Sequence, residues 1–154
     1  MSIPAILSEI ASLLFSSDYS LRSRTTNEIG FSIVEDNELK FFLIIALLIY
    51  VYGEDDNNFS KKEQRQVLKI LRSTKRFVSR ESRKELRNMT VNRVYYFQLL
   101  KLLDDYNMKS HDVKEAVKII EFKLPDLIEN EKYFHILSEV QVDLLAVLKE
   151  KELH

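Results

Sequence analysis

The chain has 154 residues, 45% of them hydrophobic and 31% charged, with a formal net charge of −1. That length and balance fit one globular domain and exclude a disordered chain. The absence of cysteine excludes disulfides, thiolate metal sites and cysteine nucleophiles, and it points to a reducing, cytoplasmic setting.

Only two glycines and two prolines interrupt the chain. So few breakers argue for helices joined by short polar turns. The expected fold is an all-α, single-domain bundle of about six helices. It divides into an N-terminal helix plus loop (1–35), core helical hairpins (36–124) and a C-terminal helix (126–150). The first basic residue is Arg22, and Glu9 interrupts the early apolar stretch, a pattern unlike a secretory signal.

In chain order, Ser2 caps a first helix over 3–15, with Ile3, Ile6, Leu7, Ile10, Leu13 and Leu14 at helical spacing. Residues 16–35 are polar and read as the longest loop, with a short extended or helical piece at 29–34. A second helix starts at Asp36 as N-cap and ends near Tyr52, before Gly53. Its run from Phe41 to Tyr52 is apolar on every side but too short for a membrane span of about 20 residues. It reads as a helix buried on most of its surface.

A third helix starts at Ser60, where Ser60-x-x-Glu63 forms a capping box. Val67, Ile70, Leu71, Thr74, Phe77 and Val78 give it an apolar stripe, and a break falls near Ser79 before a short helix over 80–88. Thr90 caps a fourth helix (91–107) with Val94, Phe97, Leu100 and Leu103 inward. Ser110 caps a fifth with Val113, Ala116, Val117 and Ile120 inward, and Pro125 ends or kinks it. The last helix carries Phe134, Leu137, Gln141, Leu144, Leu145 and Leu148 in register. The pattern of helix, acidic loop and Ser-capped helix occurs twice, which suggests two related helical hairpins.

The acidic loop Glu54-Asp55-Asp56-Asn57-Asn58-Phe59 supplies hard oxygen donors suited to calcium, magnesium or manganese. An EF-hand does not fit. Counting from Asp55 puts Ser60 at the required glycine and Gln66 at the required glutamate, and counting from Asp56 puts Lys61 and Val67 there.

Asp56-Asn57-Asn58-Phe59-Ser60-Lys61-Lys62-Glu63 resembles the Asp-Gly-x-(Ile/Val/Phe)-Ser-x-x-Glu signature of TerB-like domains. That family is named for bacterial tellurite-resistance proteins and includes domains of some J-domain co-chaperones. Its signature follows an apolar helix, as here. Asn57 stands where the family has glycine, and Tyr50 to Glu54 stand where it has small residues. The resemblance implies a scaffold module of stress response or membrane-proximal assembly, with Asp56 and Glu63, aided by Asp55, holding a divalent cation. Capping alone also accounts for Ser60 and Glu63.

Charge is strongly segregated. The stretch from Lys61 to Arg93 holds 12 Lys/Arg and three acids, a net +9, and the remainder of the chain is −10. Lys62, Arg65, Lys69, Arg72 and Arg76 recur every three or four residues, and Arg80 and Arg83 follow. Such a face suits an acidic protein partner, a second copy of the chain or, less well in an acidic protein, nucleic acid. A solvated helix face is the plainer reading of the same residues. Tyr95 and Tyr96 beside Arg93 offer a stacking platform or, at helical spacing, a core edge. His111, His135 and His154 are scattered, and no nucleophile–base arrangement stands out. The expectation is a non-enzymatic, cytoplasmic binding or scaffold protein.

Overall fold

Nine consecutive apolar residues leave a helix no polar side to turn to water, so other helices must cover it all round. A computed structural model shows this arrangement. It describes residues 8, 10–11, 30–52, 60–74, 78–92 and 94–153, with 30–37 and 126 described by backbone alone. The described residues form seven helices and no strand. They are α1 (Gly30–Tyr52), α2 (Lys61–Ser73), α3 (Arg80–Asn92), α4 (Tyr96–Asp105), α5 (Ser110–Lys123), α6 (Pro125–Glu129) and α7 (Glu131–Glu152).

Helix α1 is the axis of the bundle. Every residue from Phe41 to Ile49 is at most 1% exposed. Helices α3, α4, α5 and α7 pack around it, and Ile10 joins the same apolar cluster. Burying one such large side chain contributes about 1.5–3 kcal/mol. The intrahelical ladder satisfies the backbone polar groups, which makes full burial affordable. Helix α1 starts at Gly30, so Asp36 lies inside it rather than capping it. Asp and Asn in a helix cost only about 0.7 kcal/mol or less each against Ala, less than the burial of one large side chain of α1 contributes. The piece expected at 29–34 is thus helical from Gly30 and continuous with α1. The expected first helix falls almost wholly outside the described residues.

The other boundaries are set by caps. Ser60 and Glu63 form the expected box. The Glu63 N–H donates to Ser60 Oγ at 3.3 Å, and Glu63 Oε1 accepts from the Ser60 N–H at 3.4 Å. Helix α2 ends at Ser73, and buried Thr74 closes it by donating its hydroxyl to the Leu71 carbonyl at 2.7 Å. The break before Arg80 is present, and α3 then continues to Asn92.

Thr90 is not a cap. It is buried inside α3 and its hydroxyl donates to the Leu86 carbonyl at 2.7 Å. The α4 entry is made instead by Tyr95, whose N–H donates to Gln98 Oε1 at 2.7 Å. At α5 the capping position is Lys109, whose N–H donates to Asp112 Oδ2 at 2.8 Å. Pro125 does end α5 and opens the short α6. Asn130 caps α7 by accepting from the N–H groups of Lys132 and Tyr133.

The two expected hairpins are arranged differently. Helix α2 packs chiefly on α3, and α5 packs on α1 and α7. Helix α7 turns inward Tyr133, Leu137, Val140, Leu144 and Leu148. Phe134, expected inside, is 43% exposed. Tyr133 takes that place because its ring meets Tyr52 of α1 at 4.6 Å between centroids.

Candidate functional site

Helix α2 is a peripheral helix with two unlike sides. Val67 and Leu71 are buried, while Lys62, Arg65, Gln66, Lys69 and Arg72 are exposed. The hydrophobic effect fixes this orientation, because α2 rests its apolar side on α3 and leaves its cations in water. Lys62, Arg65, Gln66, Lys69 and Arg72 border an open groove of about 440 Å³, together with half-buried Leu68. Among the described residues none of these four cations has an ion-pair partner. Four like charges over about 15 Å of helix form a positive surface with an aliphatic centre.

The remaining sequence candidates are dispersed. Arg76 lies outside the described residues. Arg80 starts α3, a different helix, and is exposed. Arg83 is half-buried and its Nε donates to the Val78 carbonyl at 3.2 Å, so it braces the α2–α3 junction. Asp55 and Asp56 also lie outside the described residues. Glu63 Oε1 is engaged by both the N–H and the hydroxyl of Ser60. Among the described residues no three metal-ligating side chains converge. No described helix is long and apolar enough to cross a membrane.

A second polar centre, not legible in the sequence, joins α1, α3 and the α4–α5 turn. Glu38 Oε1 accepts the Ser79 N–H at 2.8 Å, which satisfies a donor at the α3 entry. The Ser79 hydroxyl accepts the Ser82 N–H at 3.2 Å and donates to Ser82 Oγ at 3.0 Å. Ser82 Oγ lies 3.3 Å from the Tyr106 hydroxyl, which donates to Glu85 Oε2 at 3.3 Å. The Tyr106 ring packs on Phe42 at 4.9 Å. Burial raises the Tyr106 pKa above 10.0, and the carboxylates of Glu85 and Glu38 push the same way, against the hydrogen bond from Ser82. The phenol therefore keeps its proton and serves as a structural tie. Its partners are residues 21 and more positions away, a separation that periodicity does not report.

A third arrangement clasps the C-terminus. The Ser110 N–H and hydroxyl both donate to Glu152 Oε1, at 3.1 and 3.0 Å. Lys151 pairs with Asp104 beside it. Ser110, expected to cap its own helix, instead holds the end of α7. These hydrogen bonds lower the Glu152 pKa from its ordinary 4.5. His111 and His135 lie at the surface, at 3.3 Å from Asp112 and 3.6 Å from Glu139. Comparisons of the chain with protein-family models, curated proteins and solved structures find no match.

Proposed function

We propose that this protein is a non-enzymatic binding module of TerB-like type that docks an acidic protein segment on the outer side of α2. The observation that carries this reading is the groove beside Leu68, ringed by Lys62, Arg65, Lys69 and Arg72, none of which is ion-paired to a carboxylate among the described residues. An unpaired cationic side attracts an anionic segment, and Leu68 offers an apolar contact that water does not compete for. A helix laid against α2 meets these groups when its acids recur every three or four residues around one aliphatic side chain. The TerB-like reading adds a cytoplasmic stress-response or assembly role, and it rests on the Ser60–Glu63 part of the signature.

The test uses a fluorescein-labelled peptide of about four helical turns, with glutamates at that spacing around one leucine. Its anisotropy reports binding to the whole chain across a salt series. Arg65→Glu with Arg72→Glu weakens binding about tenfold or more, because repulsion replaces two attractions. Rising salt weakens the native complex steeply. Affinity indifferent to salt and to both charge reversals refutes the reading.

A further inference from the structure

Helix α3 carries a second cationic stripe that the groove on α2 does not use. Ser82, Leu86, Met89 and Thr90 turn inward. Arg80, Lys84 and Arg87 are exposed at i, i+4 and i+7, and Val91 continues the same stripe at i+11, 56% exposed. Of the acids on this helix, Glu81 stands three residues before Lys84 and borders the stripe, while Glu85 is turned about 140° from Arg80 and is occupied by the Tyr106 hydroxyl. Among the described residues Arg80, Lys84 and Arg87 have no ion-pair partner.

An aromatic pair follows the stripe in the chain, Tyr95 lying four residues beyond Val91. Tyr95 and Phe97 follow α3 in the chain, 54% and 66% exposed. Their rings lie 6.0 Å apart between centroids and within 10° of parallel. Both residues keep more than half of their surface in solvent. Tyr95 is held in place because its N–H caps α4 through Gln98 at 2.7 Å, and Leu99 next to it is buried. The platform is therefore anchored by its backbone while its rings stay in water.

We propose that this ridge binds single-stranded nucleic acid, with phosphates along Arg80, Lys84 and Arg87 and a base stacked on the outer side of the Tyr95–Phe97 pair. Seven residues of α3 span about 10 Å, long enough to meet successive phosphates of an extended strand. Base stacking on aromatic side chains is indifferent to sequence, because every base has a π-face. Only an unpaired strand can present that face, since a duplex keeps its bases stacked on each other. An acidic peptide satisfies the cations equally well but gives the rings no planar partner. That makes nucleic acid the better fit, independently of the α2 groove.

The experiment titrates the whole chain into fluorescein-labelled oligothymidylate and oligouridylate of about ten nucleotides, a length within known site sizes, over a salt series. Three phosphate contacts give a log–log slope of about −2 in association constant against salt. Tyr95→Ala and Phe97→Ala each weaken binding about tenfold at an unchanged slope, and Phe97→Tyr retains it. Arg80→Glu, Lys84→Glu and Arg87→Glu lose affinity and flatten the slope. All these side chains are exposed, and circular dichroism checks each variant's helix content. The proposal is overturned by any of five results: no binding at low salt, equal affinity for inorganic polyphosphate, equal affinity for a duplex, aromatic variants that bind as the native chain does, or loss that follows reversal of Arg65 and Arg72 rather than the α3 cations.

Discussion

The burial of α1 on every side makes a demanding prediction about its stability profile. An amphipathic helix resting on one surface buries about half of any nine-residue window, and alanine substitutions along it cost energy with a period of 3.6 residues. In this protein Leu43, Ile44, Ile45, Leu47, Leu48 and Ile49 are all at most 1% exposed. They point in every direction around the axis, toward α3, α4, α5 and α7. Each truncation to alanine removes buried methylenes and leaves a cavity that the surrounding helices close only in part. The expected cost is about 2–5 kcal/mol at each position. For a domain of this size each kcal/mol lowers Tm by about 2–4 °C, so the variants melt about 4–20 °C below the native chain. Urea unfolding followed by circular dichroism measures the series. Ile44→Val, Ile45→Val and Ile49→Val, at about 0.5–1.5 kcal/mol each, supply the same information where an alanine variant does not fold. Val142→Ala, 66% exposed on α7, is the control and moves stability by less than about 0.5 kcal/mol. A cost that oscillates along 43–49, with near-zero values every third or fourth residue, refutes all-round burial.

Ser60→Ala removes the hydroxyl that accepts the Glu63 N–H and costs about 1 kcal/mol in urea unfolding; a cost near zero shows that the box does not hold α2. Glu63→Gln separates capping from metal binding. If Glu63 with Asp55 and Asp56 holds a divalent cation, calcium, magnesium or manganese at about 1 mM raises the native Tm and not that of the variant; a native Tm unmoved by all three removes the metal reading. Glu152, whose pKa is lowered by Ser110, stabilises the fold above the ordinary value of 4.5, and that contribution is lost as pH falls through the lowered folded value. Glu152→Gln therefore flattens the acid side of the Tm–pH profile, and an unchanged acid side shows that the Ser110 clasp carries no linkage.

Features of the chain that depend on near neighbours in sequence are the ones its sequence determines. The Ser60–Glu63 box closes within three residues, so its partners are both on the page of the sequence. The stop at Pro125 is equally local, because a missing N–H ends α5 whatever surrounds it. The burial of α1 follows from composition, since a helix without a polar side has nowhere else to go. The basic side of α2 follows from periodicity, because Lys62, Arg65, Lys69 and Arg72 recur opposite Val67 and Leu71.

Tertiary structure decided what several local readings left equivalent. On α7, Phe134 and Tyr133 are both apolar enough to face inward, and the ring of Tyr52 selects Tyr133. Thr90 reads as a cap in isolation, but α3 runs through it and buries it. Ser110 reads as a cap too, yet the end of α7 claims both its donors through Glu152. Phe97 belongs by hydrophobicity to the core, but the inward side of α4 is taken by Leu99, Leu102 and Leu103, which leaves its ring stacked on Tyr95 in water. Periodicity specifies how far apart the inward residues of a helix are. Which of the competing residues turns inward depends on the helix that arrives to cover it, and that partner comes from a distant part of the chain.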